Sequence, residues 1–312
     1  MVTNTQALLE QMERELHEPR RDDVAGGLLF HYTEGAGLLG IVRERQIWAT
    51  HYAHVNDVEE LVAGERIVDD VAGRLLRETL ADSPAEWLLG NFVRLHQAKG
   101  QSLSQVADVY VASFSTQGNH LPQWLGYAAG GTGYSIGLRE LHLPKGEDPE
   151  TDLTLMLSKC EYDRERFEEV VAQALTEVVT RFEKSVRAHS LGPEVFNALM
   201  THAANLALRR VALLVPGFKN AAFADEEEWR LVAMPRHGRE AKVVRFRSGR
   251  SGIVPYIPIP LSDADKPLDL ARIYVGSRQH PDAGRKAVSS FLTANGYDGE
   301  GLVVNSGISY RG

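Results

Sequence analysis

Two consecutive amphipathic helices in the middle of the chain constrain its architecture more than any other feature. Residues 163–188 carry Phe167, Val170, Val171, Val178, Val179 and Phe182 at helical spacing. Residues 193–214 repeat the pattern with Val195, Phe196, Leu199, Met200, Leu206 and Val211. Only Ser190-Leu191-Gly192-Pro193 separates them, so the pair is predicted to lie antiparallel. Strand-forming stretches flank the pair on both sides. Four precede it, at 30–33, 47–50, 109–115 and 134–138. Five follow, at 228–232, 241–247, 253–261, 272–275 and 302–304. This order predicts an α+β fold, a mixed sheet with helices packed around it. The chain reads as a single domain over 1–312, with a helical-hairpin insert at 160–215.

Further helices are predicted at 5–20, 37–45, from 58 to about 76, at 84–100, 119–129 and 282–294. Ser83-Pro84-Ala85-Glu86 is a helix start. Ser caps it, Pro takes the first position, and Glu can reach back. Asn56-Asp57-Val58-Glu59-Glu60 reads as a capping box, or as a polar cap that also orders a loop beside a pocket.

Composition removes several classes. Cys160 is the single cysteine, which excludes an intramolecular disulfide and a cysteine-based metal cluster. It points to a reducing, cytoplasmic setting. The start, Met1-Val2-Thr3-Asn4-Thr5-Gln6, does not read as a secretion signal. No stretch is expected to span a bilayer, and no membrane partner is predicted. A net charge of −8 argues against bulk electrostatic binding to nucleic acid, while leaving room for a local basic patch.

No Walker loop, dinucleotide fingerprint or His-Glu-x-x-His motif is present, and no metal is expected. Gly130-Gly131-Thr132-Gly133 lies between a helix and a strand, the wrong order for a phosphate cradle. Glu226-Glu227-Glu228-Trp229-Arg230 runs from an acidic stretch straight into an apolar strand. Glu228 then shares a face with Arg230, as a rigidly held carboxylate or as an edge charge that discourages aggregation. Ser113 and Ser115 share a strand face, as site hydroxyls or as ladder and turn partners. Trp124 and Tyr127 share a helix face, as core or as a ligand platform. Arg236, Arg239, Lys242, Arg245, Arg247 and Arg250 form a basic ribbon, either a solvated hairpin or a surface that binds phosphate or nucleic acid. His31 and Thr33 point to one face of their strand and Tyr32 to the other.

In order, His31-Tyr32-Thr33, Trp48-Ala49-Thr50, Asn56-Asp57 with Glu60 and Ser113-Phe114-Ser115 are followed by Trp124, Tyr127-Ala128 and Phe218-Lys219. Glu226 with Glu228-Trp229-Arg230, and then Ser306 with Tyr310-Arg311, complete the series. The set resembles a bacterial family classed as a domain of unknown function. That family is similar in turn to a distant branch of the ADP-ribosyltransferase fold, whose ligand-gripping residues sit on three strands.

The resemblance implies a mixed-sheet, ADP-ribosyltransferase-like core that uses NAD as a substrate. His31, with Tyr32 and Thr33, would hold the dinucleotide, supported by Ser113 or Ser115. Trp124 or Tyr127 would stack on nicotinamide, and Glu228 would be the catalytic carboxylate. Asn56, Asp57, Glu226 and Arg230 would support the site. The chain departs from the better-known members in having Tyr32 directly after His31. The activity implied is transfer of ADP-ribose to a protein or nucleic acid, as in a toxin or phage-defence effector. NAD glycohydrolysis, an inactive nucleotide-binding module and a metal-dependent hydrolase stand as alternatives.

Overall fold

In the computed structural model, strand β6 (Glu228–Pro235) is buried along its whole length, between β3 (Tyr110–Ser115) and β5 (Leu153–Lys159). The structure describes residues 8, 27–55, 58–97, 108–143, 153–235, 240–249, 252–263, 265–277 and 280–308. The predicted helix at 5–20, Asn56 and Asp57, Arg236, Arg239 and Arg250, and Tyr310-Arg311 lie wholly or almost wholly outside them.

The remaining strands are β1 (Leu29–Thr33), β2 (Gln46–His51), β4 (Tyr134–Leu138), β7 (Arg245–Gly249), β8 (Gly252–Pro260), β9 (Leu270–Val275) and β10 (Val303–Asn305). They form one mixed sheet in the order β10-β9-β4-β1-β3-β2-β8-β7, with β6 and β5 branching from β3. β9 and β10 pair parallel, the others antiparallel.

The branch arises at β3. One edge of β3 pairs with β6 over all six residues. The other edge is shared, with Ser115 opposite Phe30 of β1 and Tyr110 and Val111 opposite His51 and Thr50 of β2. Among the described residues, Ala112, Ser113 and Phe114 have no strand partner on that edge. The sheet is therefore split there.

Alternation along the strands separates two cores. On one face, Val111, Met156, Val232 and Met234 pack under α2 (Val58–Glu78), α3 (Pro84–Gln97), α5 (Arg164–Ala188) and α6 (Pro193–Leu214). The predicted helical pair, α5 and α6, thus forms a four-helix layer with α2 and α3. The Asp163 carboxylate caps α5 by accepting from the Glu165 and Arg166 N–H groups, and Pro193 opens α6. At α3, Ser83 Oγ accepts from Glu86 N, while the Glu86 carboxylate reaches back to Asp82 N.

On the other face, Phe114, Ile136, Trp229, Leu231, Ile257 and Ile273 pack against α1 (Gly35–Glu44) and α7 (Pro281–Ala294). A smaller cluster of Phe30, Tyr32, Trp124 and Ala128 lies under the short helix α4 (Leu121–Tyr127).

Three elements differ from expectation. β5 was not anticipated. Residues 241–247 were predicted as strand, but Glu240–Val243 makes a helical turn and β7 begins only at Arg245, where pairing with β8 starts. Glu-Ala-Lys is good helix-forming sequence, and among the described residues nothing pairs it into the sheet. Contrary to the expectation that no stretch is long and apolar enough to cross a bilayer, the run Pro193–Gly217 is so by length and composition. Half of its most apolar window is buried, and Ala203, Ala204, Leu206, Ala207 and Val211 are core residues, as in a central helix of a folded domain.

Candidate functional site

The split in the sheet opens a cleft of about 280 Å³ on the face that carries Glu228. Its floor is Ser113 of β3 with Glu228 and Arg230 of β6. Tyr32, Gln123 and Tyr127 stand on one side, and Trp48, Thr50 and Arg247 on the other. His54 and Val55, after β2, close a third side.

Glu228 is placed by a constrained turn. Glu227 adopts φ 44° and ψ 48°, a left-handed conformation unusual for a non-glycine residue. Thr116 and Glu227 hold this turn through a short side-chain bond, and Thr116 N donates to Glu227 O at 3.3 Å. The Glu228 N–H donates to Tyr162 Oη at 2.9 Å. Its side chain, 4% exposed, accepts from Arg230 Nε at 2.8 Å and Arg230 Nη2 at 3.1 Å, and from Lys219 Nζ at 2.6 Å. Lys219 also reaches Glu226 at 2.6 Å, and Arg230 Nη1 donates to Pro216 O at 2.7 Å. Two carboxylates and two cations thus share one buried network. Burial alone would raise the pKa of Glu228, but the Arg230 guanidinium and Lys219 ammonium outweigh it and bring it to about 2. Glu228 is therefore an ionised carboxylate with both oxygens engaged.

His31 bridges the gap in the sheet. Its Nδ1 lies 2.9 Å from the Ser113 carbonyl. A carbonyl only accepts, so Nδ1 carries the proton and Nε2 of the neutral ring is an acceptor. Burial lowers the pKa of His31, which favours that neutral form, although the Ser113 bond works against it. Strand alternation assigns His31 to the face of Phe114, with ring centroids 5.8 Å apart, while Phe30 and Tyr32 take the face of Glu228. His31 lines the cleft from within the split rather than from Glu228's side of the sheet.

Of the residues expected to form the site, the cleft brings together His31, Tyr32, Ser113, Tyr127, Glu228 and Arg230. Tyr127 is 42% exposed, and burial of its hydroxyl region pushes its pKa up to about 12, so it stays a neutral phenol. Tyr32 is on the wall, but its hydroxyl already donates to Gln117 O at 2.6 Å and accepts from His120 N at 2.9 Å.

Three expectations are corrected. Trp124 is 1% exposed, meets Tyr32 edge-on and donates to Asn119 Oδ1 at 2.9 Å, so it is core and cannot stack on a ligand. Ser115 is buried, donating to Glu226 O at 2.6 Å and accepting from Gln117 N. Thr33 turns its Oγ1 to within 1.9 Å of where a Cβ on Gly37 would be, at the start of α1 and away from the cleft. Glu226 does not line the cleft itself but lies behind the floor, where it accepts from Lys219 Nζ at 2.6 Å.

Sequence reasoning missed Lys219, Tyr162, Trp48 and His54 as site residues. Lys219 had a signal, a lysine following the apolar run Val215-Pro216-Gly217-Phe218 and shortly before four acids, Asp225 to Glu228. Among the described residues, no group of three His, Cys, Asp or Glu side chains is arranged to hold a metal ion.

Fold and site together define an α+β protein with a split mixed sheet and a cleft floored by a buried ion network. Residues 123–231 match a family described as a protein of unknown function, DUF2971. The matched span holds Trp124, Tyr127, Lys219, Glu228 and Arg230, and agrees with the family of unknown function suggested by the motifs. No curated protein and no solved structure matches the chain.

Proposed function

We propose that the cleft binds NAD and that the protein is an ADP-ribosyltransferase-type enzyme with an ADP-ribosyltransferase-like sheet. The observation that supports this most is that His31, Ser113 and Glu228, from three strands, line one cleft at the split between β1 and β2. The nicotinamide of NAD is a cationic leaving group. When the C–N bond breaks, the electron pair leaves with neutral nicotinamide, and positive charge develops on the ribose ring. A fixed carboxylate beside it lowers that barrier. Glu228, held ionised by Lys219 and Arg230, supplies the negative charge. His31 Nε2 accepts from a ligand hydroxyl or amide, and the exposed ring of Tyr127 packs on nicotinamide. Water or an acceptor nucleophile then bonds to the ribose carbon and releases a proton.

A second reading, a nucleotide-binding module without catalysis, is favoured by the saturation of both Glu228 oxygens. Calorimetric titration with NAD tests the binding shared by both readings. Saturable one-to-one binding that weakens in Tyr127→Ala is expected. No heat of binding at millimolar NAD would overturn both.

A further inference from the structure

Among the described residues, three cations line the cleft and two of them have counter-charges. Lys219 and Arg230 are balanced by Glu226 and Glu228. Arg247 pairs with no carboxylate among the described residues. It donates from Nη2 to Thr50 Oγ1 at 2.9 Å and lies 6.0 Å over the Trp48 ring. Its Nε is buried with no acceptor. A half-buried guanidinium with an unmade hydrogen bond is costly, and a phosphoryl oxygen would relieve it by a charge-assisted bond.

Position and neighbours narrow the ligand further. Four inter-strand steps separate β7 from β6, roughly 19 Å at the usual ~4.8 Å spacing, before side chains reach inward. Arg247 and Glu228 nevertheless line the same cleft. A lone phosphate on Arg247 would leave the floor untouched, whereas an extended dinucleotide would engage both ends. Beside Arg247, Trp48 is 44% exposed and lies tilted by 32° against Tyr256 with ring centroids 4.4 Å apart, an aromatic surface suited to a base.

We infer that the corner formed by Arg247, Thr50 and Trp48 is a pyrophosphate subsite for a dinucleotide. Arg247 donates to phosphoryl oxygens, and a base rests on Trp48. This rests on the NAD reading of the cleft, because it takes the far end of the same ligand to lie at Glu228.

The test is calorimetric titration of the wild type, Arg247→Gln and Arg247→Lys with NAD, inorganic pyrophosphate and phosphate-free nicotinamide riboside. In Arg247→Gln the Kd for NAD should rise at least tenfold, with less than twofold change for the riboside. Pyrophosphate binding should be present in the wild type and lost in the variant. Arg247→Lys should recover part of the NAD affinity and of its salt dependence. NAD affinity unchanged in Arg247→Gln, or an equal loss for NAD and riboside, overturns the subsite while the NAD reading stands. Arg247-dependent binding of pyrophosphate without any binding of NAD upholds a phosphoryl subsite and overturns the dinucleotide. A wild type that binds neither overturns both.

Discussion

Lys219 Nζ lies 2.6 Å from Glu228 Oε2, although the 3₁₀ turn Ala221–Glu226 and a left-handed Glu227 intervene. Lys219 is 2% exposed, so the pair is shielded from water and salt alike. The same ammonium binds Glu226, which makes Lys219 the hub of the cleft floor.

Lys219→Met should therefore destabilise the fold by about 3–5 kcal/mol, because it leaves two carboxylates buried with one cation between them. Denaturant unfolding measures it. A double-mutant cycle with Glu228→Gln should show coupling, the second substitution costing less in the absence of Lys219.

The depressed pKa of Glu228 sets an acid limit. Its ordinary value is 4.5 and its folded value about 2. Its contribution, of the order of 3 kcal/mol, is full above the ordinary value and lost as pH falls from about 4.5 to about 2. The stability difference between the wild type and Glu228→Gln should be constant above pH 5.5 and shrink across that window. A difference independent of pH down to 2 would refute the assignment.

Trp124 and Tyr127 share a helix and should behave oppositely. Trp124→Ala removes a buried indole and its bond to Asn119, costing about 3–5 kcal/mol. Tyr127→Ala removes a part-exposed ring on the cleft wall and should weaken NAD binding with under about 1 kcal/mol lost in stability. Thermal melts alongside calorimetry separate the two.

Gly37 tests the placement of Thr33. A Cβ at residue 37 would meet Thr33 Oγ1 at 1.9 Å, so Gly37→Ala should cost about 1–3 kcal/mol in stability. Adding Thr33→Ala should restore part of it, since the nearest obstructing atom is then gone. No recovery in the double variant would place the strain elsewhere.

Much of the fold was legible because it rests on local pattern. The 3.6-residue periodicity of α5 and α6 and the strands β3 and β6 follow from apolar spacing alone. β5 escaped because Leu153-Thr154-Leu155-Met156-Leu157 is buried on both faces and shows no polar alternation. The site was legible as residue types but not as geometry. Alternation correctly separated His31 from Tyr32. Only the pairing of Phe30 with Ser115 decides which of them shares the face of Glu228. Lys219 was not read as a site residue, and Arg247 was read only as part of the basic ribbon, because their place in the cleft depends on tertiary geometry. One meets its partner across an irregular turn, and the other reaches the cleft from the far end of the sheet.

The most direct measurement is nicotinamide release from NAD by the wild type and by Glu228→Gln. The amide oxygen can replace only one of the two engaged Glu228 oxygens, toward Lys219 Nζ and Arg230 Nη2, and its NH2 then faces Arg230 Nε, so circular dichroism and a thermal melt must first establish that the variant is folded. The account predicts release by the wild type and a rate at least about 100-fold lower in the variant, a loss of roughly 2.7 kcal/mol of transition-state stabilisation. Equal release by both, or none from a wild type that binds NAD, would contradict the placement of the chemistry at Glu228.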